Sequence, residues 1–121
     1  MREPTYRALL MGNATFDDPE VFDLNGPRCD LPLLKGALTS DDTGLFKEQD
    51  VMLQPDLELD EMGTQIKRFF DAGRREDLLL LYYSGHGRLD ERGELCLFAK
   101  NTLRSQTSCG AACRPGRSIR P

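Results

Sequence analysis

The segment Leu78-Leu79-Leu80-Leu81-Tyr82-Tyr83 constrains the fold more than any other. Six apolar or aromatic residues run without interruption, opened by Asp77 and broken by Ser84-Gly85-His86-Gly87. Such a run predicts a strand buried on both faces, as in a parallel sheet covered by helices. The rest of the chain is read against that expectation.

Tyr6-Arg7-Ala8-Leu9-Leu10-Met11 predicts a first strand, ended by the turn signal Gly12-Asn13. Residues 13–27, rich in Asp, Pro, Asn and Gly, read as a loop. Leu31, Leu34 and Leu38 recur at helical spacing, with Pro32 tolerated in a first turn, so a helix is expected from Cys29 to Thr39. Asp50-Val51-Met52-Leu53 predicts a short strand stopped before Pro55, and Asp56 is a candidate N-cap for the next helix. In that helix Leu59, Met62, Ile66, Phe69 and Phe70 share one face, and Gly73 ends it. Arg88 to Gly93 reads as a charged turn, and Glu94 to Ala99 as a further strand. Strand, helix, strand, helix, strand implies right-handed crossovers, hence an α/β fold with an open, mainly parallel sheet flanked by helices.

The 121 residues amount to one domain or part of one. No apolar run approaches the roughly 18 residues of a membrane span, and Met1-Arg2-Glu3-Pro4-Thr5 has no apolar leader core. No membrane partner and a cytoplasmic location are therefore expected. The net charge of −4 disfavours nucleic acid as a partner. The charge is uneven. Residues 1–100 carry 12 basic and 20 acidic side chains, whereas residues 101–121 carry four Arg and no acid. With its Ser, Gly and Pro content, the stretch 103–121 reads as a basic, disordered tail behind a domain of residues 1–102. Cys29, Cys96, Cys109 and Cys113 are expected as reduced thiols, with Cys96 buried in its strand. There is no Cys-x-x-Cys pair and one histidine, so neither a metal nor a cofactor is expected.

That histidine, His86, lies between two glycines just past the most apolar strand. Ligands of open α/β sheets bind beyond the carboxyl ends of the strands. Paired glycines let a backbone turn sharply and leave its amides open to a substrate, and an imidazole exchanges protons near neutral pH. An ordinary surface turn is the competing reading. A nucleotide-binding or receiver domain fits less well: Gly-x-x-x-x-Gly-Lys-[Ser/Thr] and Gly-x-Gly-x-x-Gly are both missing after the first strand.

Leu79-Leu80-Leu81-Tyr82-Tyr83-Ser84-Gly85-His86-Gly87 resembles the histidine motif of the caspase-like cysteine peptidases, above all the metacaspase and bacterial caspase-domain branch. Tyr6 to Asn13 resembles the first strand of that family. Leu24-Asn25-Gly26-Pro27-Arg28-Cys29-Asp30 followed by Leu33-Leu34 resembles its Leu-x-Gly-Cys-x-Asn-Asp helix start. The resemblance covers roughly residues 5–102. It implies that His86 is the general base and acid of a Cys–His dyad and that the Gly87 N–H is an oxyanion donor. It also implies that Asp30 and Ser84 line the pocket for the residue before the scissile bond, where a carboxylate suits Lys or Arg. The implied partner is a peptide or protein substrate. Read without the family, Asp30 is a helix N-terminal acid facing the dipole and Ser84 a plain turn residue.

The chain departs from the pattern at the nucleophile. A caspase-like nucleophile follows its histidine by about 50 residues, at about position 136 here. No Asp-x-Cys-x-Ser-Gly segment is present. Cys109 and Cys113 follow no apolar strand, and Pro27 stands where the family has its helix-start cysteine. Two functions are therefore expected in order: a portion of a cysteine endopeptidase with its histidine but no credible nucleophile, inactive alone, or a catalytically inactive caspase-fold module that binds a protein. An incomplete sheet also leads us to expect an uncovered edge, with limited stability or self-association.

Overall fold

The computed structural model describes residues 3–105. Strand β1 (Tyr6–Gly12) leads into helix α1 (Gly26–Leu38), then a single 3-10 turn at Glu48–Asp50 and strand β2 (Val51–Pro55). Helix α2 (Leu59–Ala72) precedes β3 (Leu78–Ser84), and two short strands follow, β4 (Gly87–Leu89) and β5 (Leu95–Leu97). Strands β2, β1 and β3 form a parallel three-stranded sheet in that order, and β4 and β5 form a separate antiparallel pair. The fold is thus the expected open α/β arrangement, with the last strand turned into a hairpin instead of joining the sheet. Residues 106–121, with Cys109, Cys113 and most of the expected tail, lie outside the described residues.

The centre of the sheet is β1. Its side chains alternate between two cores. Leu9 and Met11 face α2 with Met62, Ile66 and Phe69, while Ala8 and Leu10 face α1 with Leu31 and Val51. Leu9, Leu10, Met62 and Ile66 are fully buried, and each such side chain contributes about 1.5–3 kcal/mol relative to exposure. The expectation that β3 is buried on both faces holds in part, since Leu79, Leu81 and Tyr83 pack on the α2 core and Leu80 and Tyr82 on the α1 core. Leu79 to Ser84 are only half-buried and Leu78 is exposed. Among the described residues β3 has one strand neighbour, β1. Its apolar run reflects two covered faces, not a central position.

Local boundaries shift for identifiable reasons. Helix α1 starts at Gly26, three residues earlier than expected, because Pro27 occupies its first turn without needing a donor. Strand β2 runs through Pro55, which pairs with Gly12 from an edge position where a missing N–H is tolerated. Asp56 is no N-cap. Glu58 holds that position, and Asp56 adopts φ 53°. Its Oδ1 accepts from Ala14 N–H at 2.8 Å and Thr15 N–H at 3.0 Å, which ties the end of β2 to the loop after β1. The first N–H of α2, at Leu59, donates instead to Asn101 Oδ1 at 2.9 Å. The charged turn contracts to Asp90–Gly93. There Asp90 Oδ1 accepts from Arg92 and Glu94, and Gly93 takes φ 79°. None of the helices among the described residues is long and apolar enough to cross a membrane.

Candidate active site

The sheet order places a topological switch point between β1 and β3, where α1 leaves to one face and α2 returns from the other. Ligands of such sheets bind at this point, beyond the strand ends. The register aligns Gly12 with Ser84 there. Gly12 is also where α1 closes on the sheet, since a Cβ would come within 2.9 Å of the Leu31 side chain. The contact brings Asp30, one turn into α1, over the end of β3. Ser84 Oγ donates to Asp30 Oδ2 at 3.1 Å across 54 positions of sequence. Asp30 is therefore not a first-turn acid serving the helix dipole, since the first turn of α1 carries none. A half-buried carboxylate fixed by a hydroxyl, at the mouth of a switch point, can receive a cationic side chain.

His86 follows two residues later. Its Nε2 lies 2.8 Å from the carbonyl oxygen of Phe22. A carbonyl only accepts, so Nε2 carries the proton, and in the neutral ring Nδ1 is the open acceptor. Three rings enclose the imidazole: Phe16 at 5.0 Å between centroids, Phe22 at 5.6 Å and Phe98 at 6.0 Å. Beneath them Val21, Cys96 and Phe98 form a small buried cluster. A cleft of about 260 Å³ opens beside His86, bounded by Phe22, Gly87, Phe98, Arg88 and Arg104. Asp30 and Ser84 do not line this cleft, so the site comprises two adjacent parts.

The cleft wall is fastened at Asp18. Its carboxylate accepts from Glu20 N–H at 3.0 Å and from Arg104 N–H at 2.8 Å. Those two donors, with the Arg104 charge, hold the Asp18 carboxyl below its ordinary value.

Gly87 begins β4. The bond joining the strands there runs from Phe98 N–H to the His86 carbonyl at 3.0 Å, so Gly87 and Leu97 form a non-hydrogen-bonded pair. The Gly87 N–H therefore points away from β5, toward the open side. Neither Gly85 nor Gly87 has a positive φ, although the chain bends at Gly85 directly after β3.

The sequence did not single out Asn13, among the described residues the one large polar side chain that is fully buried. Its Nδ2 donates to the Phe98 carbonyl at 2.7 Å and its Oδ1 accepts from Leu57 N–H at 3.2 Å. Its own N–H donates to the Ser84 carbonyl at 2.9 Å. Asn13 thus links the ends of β1 and β3 to the Phe98 segment. Its place in a turn signal directly after an apolar strand was the only pointer available.

Cysteine chemistry is limited among the described residues. Cys29 is free and exposed on α1. Cys96 is buried, as expected, but disulfide-bonded, so the expectation of reduced thiols does not hold for it. No cluster of His, Cys, Asp or Glu able to hold a metal occurs among the described residues.

The family model described as the caspase domain, of the C14 peptidases, matches residues 5–109. The search of curated proteins finds no match.

Proposed function

The chain belongs to the caspase domain family, and from that premise we propose that it is the histidine-bearing portion of a cysteine endopeptidase of the metacaspase-like kind. The observation that carries the proposal is the fixed tautomer of His86, with Nε2–H on the Phe22 carbonyl and Nδ1 open. In the reaction, Nδ1 takes the proton of a cysteine thiol as the sulfur attacks the scissile carbonyl. The oxyanion that forms lies toward the Gly87 N–H. The imidazolium then returns its proton to the leaving amine, and water, deprotonated by the same Nδ1, releases the acyl group from sulfur.

Asp30 and Ser84 form the recognition part. The carboxylate takes an Arg or Lys side chain preceding the scissile bond, and the Ser84 hydroxyl holds the carboxylate in place. No cofactor is needed for this chemistry. Cys96 is excluded as the nucleophile by its bond and burial, and Cys29 sits on the helix that carries the recognition acid. The nucleophile is therefore a thiol other than these two and, since Cys109 and Cys113 follow no apolar strand, other than those as well, so the chain alone is expected to bind peptides without cleaving them. That no described cysteine is placed as a nucleophile also favours a second reading, a caspase-fold module that binds a basic peptide segment and performs no hydrolysis.

Titration of the isotope-labelled chain with short peptide amides ending in Arg or in Asp tests the proposal. The Arg peptide should shift the amides of Ser84 to Gly87, and Asp30→Asn should abolish the shifts. Equal response to both peptides would overturn the recognition assignment. Turnover of Arg-terminated fluorogenic peptides that disappears in Cys109→Ala or Cys113→Ala would overturn the assignment of the nucleophile.

A further inference from the structure

We infer that Tyr83 is the positioning residue for His86, and that Gly85 is a glycine in order to admit the Tyr83 ring; the inference rests on reading His86 as the proton-transferring group. Tyr83 is the next-to-last residue of β3. Its side chain turns back under the loop that follows, and its Oη lies 2.8 Å from the His86 carbonyl oxygen and 2.7 Å from the Phe98 carbonyl oxygen. A phenol has one proton to donate, so the hydroxyl bridges the two carbonyls and satisfies one at a time.

Each carbonyl already has another donor. Phe98 N–H reaches the His86 oxygen at 3.0 Å, and Asn13 Nδ2 reaches the Phe98 oxygen at 2.7 Å. With Tyr83 present, both lone pairs of one of the two oxygens are engaged at any moment, and the hydroxyl stays within reach of the other. The backbone of His86 is then held between β3 on one side and the Phe98 segment on the other.

Gly85 makes this possible. A Cβ at that position would overlap the Tyr83 Oη and lie 2.8 Å from Cζ. Gly85 does not have a positive φ, so the glycine answers to space and not to backbone conformation. The same argument does not apply to Gly87, where a Cβ would meet nothing closer than the Cys96 carbonyl at 3.4 Å. The first glycine of Ser-Gly-His-Gly and the tyrosine two positions before it are therefore one device. Its product is the placement of the imidazole against the Phe22 carbonyl, and a transferring group must be held to within about 0.5 Å.

The chain has a single histidine, so His86 can be read without ambiguity. The experiment compares wild type, Tyr83→Phe, Gly85→Ala, the double variant and Tyr82→Phe in the full chain. Tyr82 belongs to the core on the α1 face of the sheet, and its variant controls for loss of a phenol. Two readouts are taken: the ring 15N correlations of His86, which report its tautomer, and the rate of carbethoxylation by diethylpyrocarbonate. Methyl shifts of Met62 and Ile66 monitor the fold.

Wild type and Tyr82→Phe should show one tautomer, protonated at Nε2. Tyr83→Phe should mix the tautomers and raise the carbethoxylation rate about threefold to tenfold, the population equivalent of one hydrogen bond. Gly85→Ala should do the same, and the double variant should be no worse than either single one. Tyr83→Phe behaving as wild type, or Tyr82→Phe changing as much, would overturn the inference. If Gly85→Ala fails to fold, Tyr83→Phe decides alone. Neither readout uses substrate or a nucleophile, so failure of peptide binding or cleavage counts against the proposed function and leaves this result standing.

Discussion

The carbonyl oxygen of Phe22 lies 2.8 Å from Nε2 of His86, 64 positions away in sequence. That contact connects an acidic, proline-containing loop to the end of the most apolar strand and assigns the ring proton. The loop is itself fastened, by Asp18 to Arg104 and by Leu24 N–H to the Ala14 carbonyl at 2.8 Å. The position of the imidazole is thus a property of three segments and not of its own turn.

Removing the recognition acid should separate binding from stability. Asp30→Asn keeps the size and one acceptor for Ser84 but removes the charge. We expect affinity for an Arg-terminated peptide to fall at least about tenfold, the loss of a charge-assisted hydrogen bond, while the melting temperature stays within a few degrees. Ser84→Ala should reduce affinity less. Calorimetric titration and a thermal melt of each variant give both numbers.

Asn13 offers a test of the interior. Asn13→Leu leaves the Leu57 N–H without its partner and removes a donor from the Phe98 carbonyl. The Phe98 carbonyl stays within reach of Tyr83 Oη, so one group is left unsatisfied and a loss of about 1–3 kcal/mol is expected. Urea unfolding measures it. A hydrophobic replacement that proves neutral would mean these groups find other partners.

Acid stability should depend on Asp77. Its Oδ2 accepts from Arg74 N–H at 2.9 Å and its Oδ1 from Thr5 N–H at 3.2 Å, which joins the turn before β3 to the start of β1. The Arg74 N–H, then that of Thr5 and the charges of Arg74 and Arg7, hold the carboxyl below its ordinary 3.8, against the opposing effect of burial. A depressed carboxyl stabilises the folded state above its unfolded value, and that contribution disappears as pH falls through the folded value. Wild type should therefore lose stability as pH drops below 3.8. Asp77→Asn should be less stable at neutral pH and show a flatter acid limb, followed by unfolding midpoints across pH 2–7. Parallel acid limbs for the two proteins would remove Asp77 from the account.

The outer edge of β3 should drive association. The strand has seven residues with no charge, no proline and no bulge, which are the usual protections of an edge. Sedimentation at rising concentration should show self-association. Leu78→Lys, at a residue 51% exposed, should weaken it with little effect on folding. A monomer at all concentrations, with a cooperative melt above about 60 °C, would contradict this prediction.

Much of the sheet was legible because its signals are local. The apolar runs of β1 and β3 and the one-sided face of α2 all follow from local pattern. Strand order was not legible, because no local pattern says that β1 takes the centre and β3 an edge. The turn at Asp56 was misread for a similar reason. Its φ of 53° is stabilised by bonds to Ala14 and Thr15, more than 40 positions away. Around His86, the histidine stood out by its place after the apolar strand, whereas Gly87, Asp30 and Ser84 were singled out only by the family resemblance. The enclosing rings of Phe16 and Phe22 were not, because loop aromatics have no period to betray their direction. The role of Gly85 required the position of Tyr83 in space.

The central claim is that β3 delivers His86 as a proton acceptor at Nδ1. Two-bond 15N–1H correlation of the single histidine, recorded in the neutral form of the ring, tests it directly. The account predicts one tautomer, with Nε2 protonated and Nδ1 bare. A spectrum dominated by Nδ1–H, or averaged between the two forms as in a solvent-exposed imidazole, would contradict the contact with Phe22 and the function built on it.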